Sequence, residues 1–201
     1  MSRPFLLGLT GSIGMGKSTV AEMLREEGVP VCDADAQVRA LQGPGGALLP
    51  AIEAAFPGTT GPEGVNRARL GELVFGDAQA LARLEGIVHP ALTRARESFL
   101  IEHGAQPLVV FDIPLLFEKG HERALDAVAV VSAPAQVQRA RVLARPGMTP
   151  EKFANILSLQ MPDAEKRARA DHWIDTGGTL EQTRNMVKAL VARLREKNPR
   201  T

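Results

Sequence analysis

The chain has 201 residues, 44% apolar and 23% charged, with 24 Lys and Arg against 23 Asp and Glu for a formal net charge of +1. These are ordinary globular values, and the length suffices for one well-buried core carrying an inserted subdomain, so a fibrous or disordered class is excluded. The near-neutral balance excludes wholesale attraction to nucleic acid or to a membrane surface, and any electrostatic function has to be local.

Phe5 to Thr10 is a short apolar run closed by a turn signal, which predicts a buried strand. Val20, Met23 and Leu24 then recur at helical spacing, and Gly28 stands where a left-handed residue would close that helix. "VPVCDAD" predicts a second strand running out into Asp33 and Asp35. Residues 1–35 therefore spell strand, glycine loop, helix, strand, a βαβ unit. From Ala36 to Gln106 the apolar spacing is helical and strands are hard to find, with loops at 43–46 and 57–64. Within this insertion Asn66 and Asp77 read as N-caps, Gly76 and Gly104 as helix ends, and Pro90 is expected to interrupt a helix between Leu81 and His103.

Strand character returns at 107–116 and 126–132, both apolar enough for a sheet covered on two faces. After Pro134 a helix is expected to carry Arg139, Arg141 and Arg145 up to the break at Pro146-Gly147. Thr149 and Pro150 predict the N-cap and first residue of a helix running to Pro162. Residues 139–169 hold seven Lys and Arg against three Asp and Glu, the one strongly basic region. "HWID" reads as a last short strand, and Thr179 with Gln182 as the capping box of a final amphipathic helix. No stretch approaches the ~18 apolar residues of a membrane span, Phe5 to Leu9 is too short for a signal segment, and the lone Cys32 cannot form an internal disulfide. A cytoplasmic chain, monomeric or weakly oligomeric, with no nucleic-acid or membrane partner is expected.

"GLTGSIGMGKST" contains Gly11-x-x-x-x-Gly16-Lys17-Ser18, the phosphate-loop spacing, placed after a strand and opening a helix. Polyphosphate needs many donors at short range, and glycines let successive backbone N–H groups converge on it beside the positive end of a helix. Lys17 reaches the β- and γ-phosphates in this reading, and Ser18 offers its hydroxyl to Mg2+. A dinucleotide fingerprint needs G-x-G-x-x-G, whereas the glycines here run Gly11-x-x-Gly14-x-Gly16. A GTPase would need N-K-x-D, which is absent.

A small-molecule kinase needs an acceptor pocket, a carboxylate near the acceptor hydroxyl and cations that close over the phosphoryl group. The helical insertion supplies the first, Asp33 at the second strand's tip the second, and the arginines before Pro146 the third, as a mobile lid. Asp35 reads as the N-cap of the segment after it or as a further Mg2+ contact. Asp112, closing "LVVFD", is either the acidic strand end of a phosphate-loop protein or merely a polar one, and His89-Pro90 can be a simple helix break.

With these residues the chain resembles the dephospho-CoA kinase family over nearly its whole length. The likeness rests on the glycine loop, "DAD" at 33–35, "HP" at 89–90, "DIPLLFE" at 112–118, "RVLAR" at 141–145, "QMP" at 160–162 with Lys166, and "RADHWID" at 169–175. It implies transfer of the γ-phosphoryl of ATP, with Mg2+, to the ribose 3′-hydroxyl of dephospho-CoA. It implies an α/β fold of the P-loop NTPase type, a five-stranded parallel sheet with flanking helices like that of nucleoside monophosphate kinases. Residues 1–35, 107–138 and 166–201 would form the nucleotide core, 36–106 the helical CoA-binding lobe and 139–165 the lid. By position, Gly14, Met15, Gly16, Lys17, Ser18 and Thr19, after Gly11, bind the ATP phosphates, Asp33 is the acceptor-side base, and Arg141 and Arg145 belong to the lid. His89, Pro114, Leu115, Leu116 and Glu118 would lie by the acceptor. Ser12 and Met15 stand at variable positions of the family loop, and Thr176 stands where the family often has Asn, so the adenine contacts stay open. A nucleoside monophosphate kinase is the nearest alternative, left open by Arg67, Arg69, Arg94 and Arg96 in the insertion.

Overall fold

The computed structural model describes residues 3–197. In chain order β1 (Phe5–Thr10), α1 (Lys17–Glu26) and β2 (Val31–Asp33) come first. Next are α2 (Ala34–Gln42), α3 (Leu49–Ala55), β3 (Thr60–Gly61), β4 (Gly64–Val65), α4 (Arg67–Val74) and α5 (Ala78–Glu102). β5 (Leu108–Asp112), a short 3-10 turn at His121–Ala124, β6 (Ala127–Ser132), α6 (Ala135–Leu143), α7 (Pro150–Ser158), α8 (Asp163–Arg169), β7 (His172–Asp175) and α9 (Leu180–Lys197) complete the chain. These elements form two compact units, one from the chain up to Cys32 together with the chain from His103 onward, the other Asp33–Glu102.

The first unit is built on a five-stranded parallel sheet in the order β2-β5-β1-β6-β7. β1 lies at its centre, Leu7 standing opposite Val110 on one side and Ala127 on the other. Every residue of β5 and β6 is buried, as continuous apolar runs require when both faces of a sheet are covered. Along β6 the side chains alternate. Ala129 and Val131 join Leu7, Leu9, Leu24 and Val191 in one cluster, while Val128 and Val130 join Leu116 and Phe117 in another. α9 starts with the predicted capping box, Thr179 N–H donating to Gln182 Oε1 at 2.8 Å and Gln182 N–H to Thr179 Oγ1 at 3.1 Å. Gly28, at φ +69°, follows the end of α1 as read.

The second unit packs α2, α3 and α4 on the long α5 around Leu48, Ile52, Phe56, Leu70, Ala80 and Ala91. Asn66 caps α4 through Arg69 N–H (3.1 Å), and Asp77 accepts from Gln79 and Ala80 N–H (2.9 and 3.0 Å) at the start of α5.

Four local expectations are corrected. α5 runs through Pro90. The carbonyl that Pro90 leaves without a donor belongs to Gly86, and both residues are exposed, so water can satisfy it while glycine yields to the ring. The insertion also holds a small hairpin, β3 with β4, organised by Glu53, whose carboxylate accepts from Gly58 N–H (2.6 Å) and the Thr60 hydroxyl (2.6 Å). α7 ends at Ser158, short of Pro162, which instead leads into α8. Arg145 lies beyond α6 rather than on it, because a residue before proline is pushed out of helical geometry.

Candidate active site

β1 delivers the chain at Thr10 into the turn 11–16, where Gly14 and Gly16 take φ of +78° and +86°, a region costly for any residue with a Cβ. Gly16 is the N-cap of α1 and contributes no side-chain cap. The first N–H groups of α1 are thus not spent on a capping side chain, and together with the helix dipole they suit an anion. Residues from distant elements hold the loop from behind. Ile13 N–H donates to Gln160 Oε1 (3.1 Å), Ile13 carbonyl accepts from Gln138 Nε2 (2.8 Å), and Ala133 N–H points at Met15 Sδ (3.1 Å). Met15 is therefore a buried anchor, its side chain turned into the core rather than toward the loop's mouth.

Lys17, first residue of α1, forms an ion pair with Asp112 at the tip of β5. Both ends are sheltered, with side-chain exposures of 18% and 5%. The pair holds a flexible lysine in place beside the loop. Ser18 and Thr19 follow in the first turn of α1, both exposed. Arg141, on the last turn of α6, donates from Nη1 to Thr176 Oγ1 (3.0 Å) and from Nη2 to the Thr176 carbonyl (2.6 Å). Arg145 is exposed, outside the helix.

After β5 the chain turns through Pro114, whose carbonyl accepts from the Thr10 hydroxyl at 3.1 Å, and half-buried Leu115. Leu116 is fully buried, its side chain packed with Phe117, Val128 and Val130. Its apolar surface is used up by the rear face of the sheet. Glu118 accepts from Met161 N–H (2.8 Å), and Lys166 Nζ, on α8, stands 2.8 Å from Glu118 Oε1 as an ion pair at an angle short of a hydrogen bond. Lys166 is wholly inaccessible. Burial pushes the Glu118 carboxyl up, but Lys166 and the backbone N–H groups outweigh it and hold the group below the ordinary carboxylate range.

Asp33 ends β2 and caps α2, Oδ1 accepting from Ala36 N–H at 2.8 Å, with Arg39 Nη2 3.7 Å from Oδ2. Asp35, expected as the cap, lies in the first turn of α2 instead, because the helix begins at Ala34 directly off the strand. His89 is exposed on α5, its carbonyl accepting from the Thr93 hydroxyl at 3.1 Å. Among the described residues no cluster of three or more His, Cys, Asp or Glu could hold a metal ion, and no helix is long and apolar enough to cross a membrane. The loop, Lys17 and Arg141 thus come together in the first unit, with Asp112, Gln138, Gln160 and Thr176 as partners absent from the sequence assignment. Of these, Asp112 carried a signal of its own, as an acid closing an apolar strand, while Gln160 and Thr176 were marked only through the family likeness.

A parallel sheet whose first strand-to-helix turn is a phosphate loop, with the lysine that opens the next helix paired to an aspartate at the neighbouring strand tip, defines a nucleotide-binding protein of the P-loop class. More closely, the chain belongs to the dephospho-CoA kinase family, whose model matches residues 5–182. It is 75% identical over 200 residues to the dephospho-CoA kinase of Novosphingobium aromaticivorans, covering 100% of each. The TT1252 protein of Thermus thermophilus matches at TM-score 0.81 and 38% identity, over 96% of this chain and 99% of that one. Dephospho-CoA kinase from Campylobacter jejuni matches at TM-score 0.65 over 96% of this chain and 98% of that one; at 23% identity this likeness concerns the fold.

Proposed function

We propose that this chain transfers the γ-phosphoryl of ATP to the ribose 3′-hydroxyl of dephospho-CoA, giving CoA and ADP in the last step of CoA synthesis, in the cytoplasm. The observation that carries it is the full-length likeness to a dephospho-CoA kinase. The uncapped start of α1 and the Lys17–Asp112 pair supply the chemistry that such a reaction needs.

In this reading the backbone of 11–19 cradles the phosphates, and Lys17 exchanges Asp112 for β- and γ-phosphate oxygens. That exchange spreads positive charge where a loose transition state gathers negative charge. Ser18 would hold Mg2+ through its hydroxyl, and the cation would supply charge neutralisation for the polyphosphate. The exposed Ser18 hydroxyl suits such a cation, for which no cage of protein carboxylates is required. Residues 36–106 hold the acceptor, 139–165 act as the lid with Arg141 and Arg145 gripping phosphate, and the rest is the nucleotide core.

Asp33 orients the acceptor hydroxyl and takes its proton late in the transfer. Its Oδ1 is committed to the α2 cap, which fixes the side chain, and Oδ2, 3.7 Å from Arg39 Nη2, is the oxygen for the substrate. His89, Pro114 and Leu115 contribute to the acceptor side, and Glu118 acts there by holding the 112–118 turn through Met161 and Lys166. The test is incubation with ATP, Mg2+ and, separately, dephospho-CoA, AMP and CMP, with phosphorus NMR locating the new phosphate. A monoester on the dephospho-CoA ribose alone is expected. A new phosphoanhydride on AMP or CMP, with dephospho-CoA untouched, would replace this reading by a monophosphate kinase.

A further inference from the structure

Thr176 stands in a loop just after β7, in a stretch that by sequence offers only a small polar side chain between Asp175 and two glycines. Its side chain is turned inward and the residue is 6% exposed. A threonine hydroxyl has one proton to give and two lone pairs to receive. Here the proton goes to the carbonyl of Met15, at the crest of the phosphate loop, at 2.7 Å. The Ser132 carbonyl, at 3.3 Å, is the weaker alternative. The same oxygen accepts from Arg141 Nη1 at 3.0 Å, and the Thr176 carbonyl accepts from Nη2 at 2.6 Å. Thr176 itself is pinned to the sheet through its N–H, which donates to the Ser132 carbonyl at 2.9 Å.

The arrangement is a relay. One buried hydroxyl joins the backbone of the phosphate loop to the guanidinium of the arginine on α6, and the bonds to that guanidinium are in one plane of donors that fork around a single residue. Two of the five Arg141 N–H groups are used, leaving three for phosphate oxygens. An unrestrained arginine on an exposed helix end would lose rotamer freedom on closing over phosphate. Fixing the fork in advance removes much of that loss.

We infer that Thr176 is a positioning residue for phosphoryl transfer, one that holds Arg141 in register with the phosphate loop through a hydroxyl shared between Arg141 and the Met15 carbonyl. The inference rests on the reading in which Arg141 grips phosphate. It also assigns the late loop a task in phosphate geometry that is independent of any contact with the base.

The experiment compares kcat and KM for ATP in the wild type, Thr176→Val, Thr176→Ser, Arg141→Ala and the Thr176→Val/Arg141→Ala pair, with thermal melting of each. Thr176→Val deletes the hydroxyl at similar volume and is expected to lower kcat on the order of tenfold, the scale of one bond to a charged group, with a smaller change in KM. Thr176→Ser keeps the hydroxyl and restores kcat to within about twofold. Once Arg141 is gone, Thr176→Val should cost little more, because the two act through one interaction. Should Thr176→Val fail to fold, Thr176→Ala is read in its place. A normal kcat in the hydroxyl-deleted protein while Arg141→Ala is slow, or additive losses in the double variant, overturns the link alone. A normal kcat in Arg141→Ala overturns the phosphate-gripping reading, and the positioning role with it.

Discussion

Lys17, the lysine of the phosphate loop, is held by an ion pair with Asp112. The lysine is half-buried, and without Asp112 its charge would either leave the crevice or stand unpaired. Lys17→Ala is expected to lower kcat on the order of a hundredfold or more, as loss of a preorganised transition-state cation does, measured by coupled ADP release. Asp33→Asn keeps an oxygen for the α2 cap but cannot take the proton, and transfer to dephospho-CoA should stop while melting temperature stays near wild type. Normal turnover in that variant would remove the assignment of Asp33 as base. At this scale the places of Lys17, Ser18 and Asp33 are legible, because they follow from spacing along one strand-turn-helix-strand. Thr176, Gln138 and Gln160 are not. Each meets the loop from more than a hundred residues away in sequence, and none has a chemistry that singles it out from other surface polar residues.

At the scale of elements, apolar periodicity and caps were informative wherever the governing contact is local. The Asn66 and Asp77 caps, the Thr179 box and the Thr149 cap, whose hydroxyl accepts from Lys152 N–H at 3.3 Å, all form as their neighbours in sequence dictate. Pro90 misled because a proline breaks a helix only if the freed carbonyl has nowhere to go, and Gly86 is open to solvent. Replacing Pro90 by Ala restores the missing donor. It should raise the urea midpoint, by about 1–3 kcal/mol of stability, with the helical circular-dichroism signal unchanged or larger. Thr179→Ala, which removes one arm of the α9 box, should cost about 1 kcal/mol in the same assay.

Across the molecule, the Glu118–Lys166 pair ties the turn after β5 to α8, and it makes stability depend on pH in a definite direction. A carboxylate held below its ordinary value of 4.5 contributes stability that is complete above that value and is lost as pH falls through the lower folded value. Acid unfolding below about pH 4.5 should therefore steepen relative to a Glu118→Gln/Lys166→Met variant, followed by fluorescence of Trp173 or by circular dichroism. Glu118→Gln alone leaves the inaccessible Lys166 ammonium unpaired and should cost about 3–5 kcal/mol at neutral pH, most of it recovered in the double variant. The parallel sheet was legible from strand apolarity and the βαβ start, whereas this ion pair was not, because nothing in a helix of seven residues distinguishes its one buried lysine from the arginines beside it.

The most direct test is a crystal structure of the protein with a non-hydrolysable ATP analogue, Mg2+ and dephospho-CoA together. The polyphosphate should lie in the 11–19 loop, with Lys17 moved from Asp112 onto its oxygens. The ribose 3′-oxygen should stand about 2.6–3.2 Å from an Asp33 carboxylate oxygen, in line with the γ-phosphorus. A polyphosphate lodged elsewhere, or a 3′-oxygen facing away from Asp33 with both substrates in place, would contradict the account.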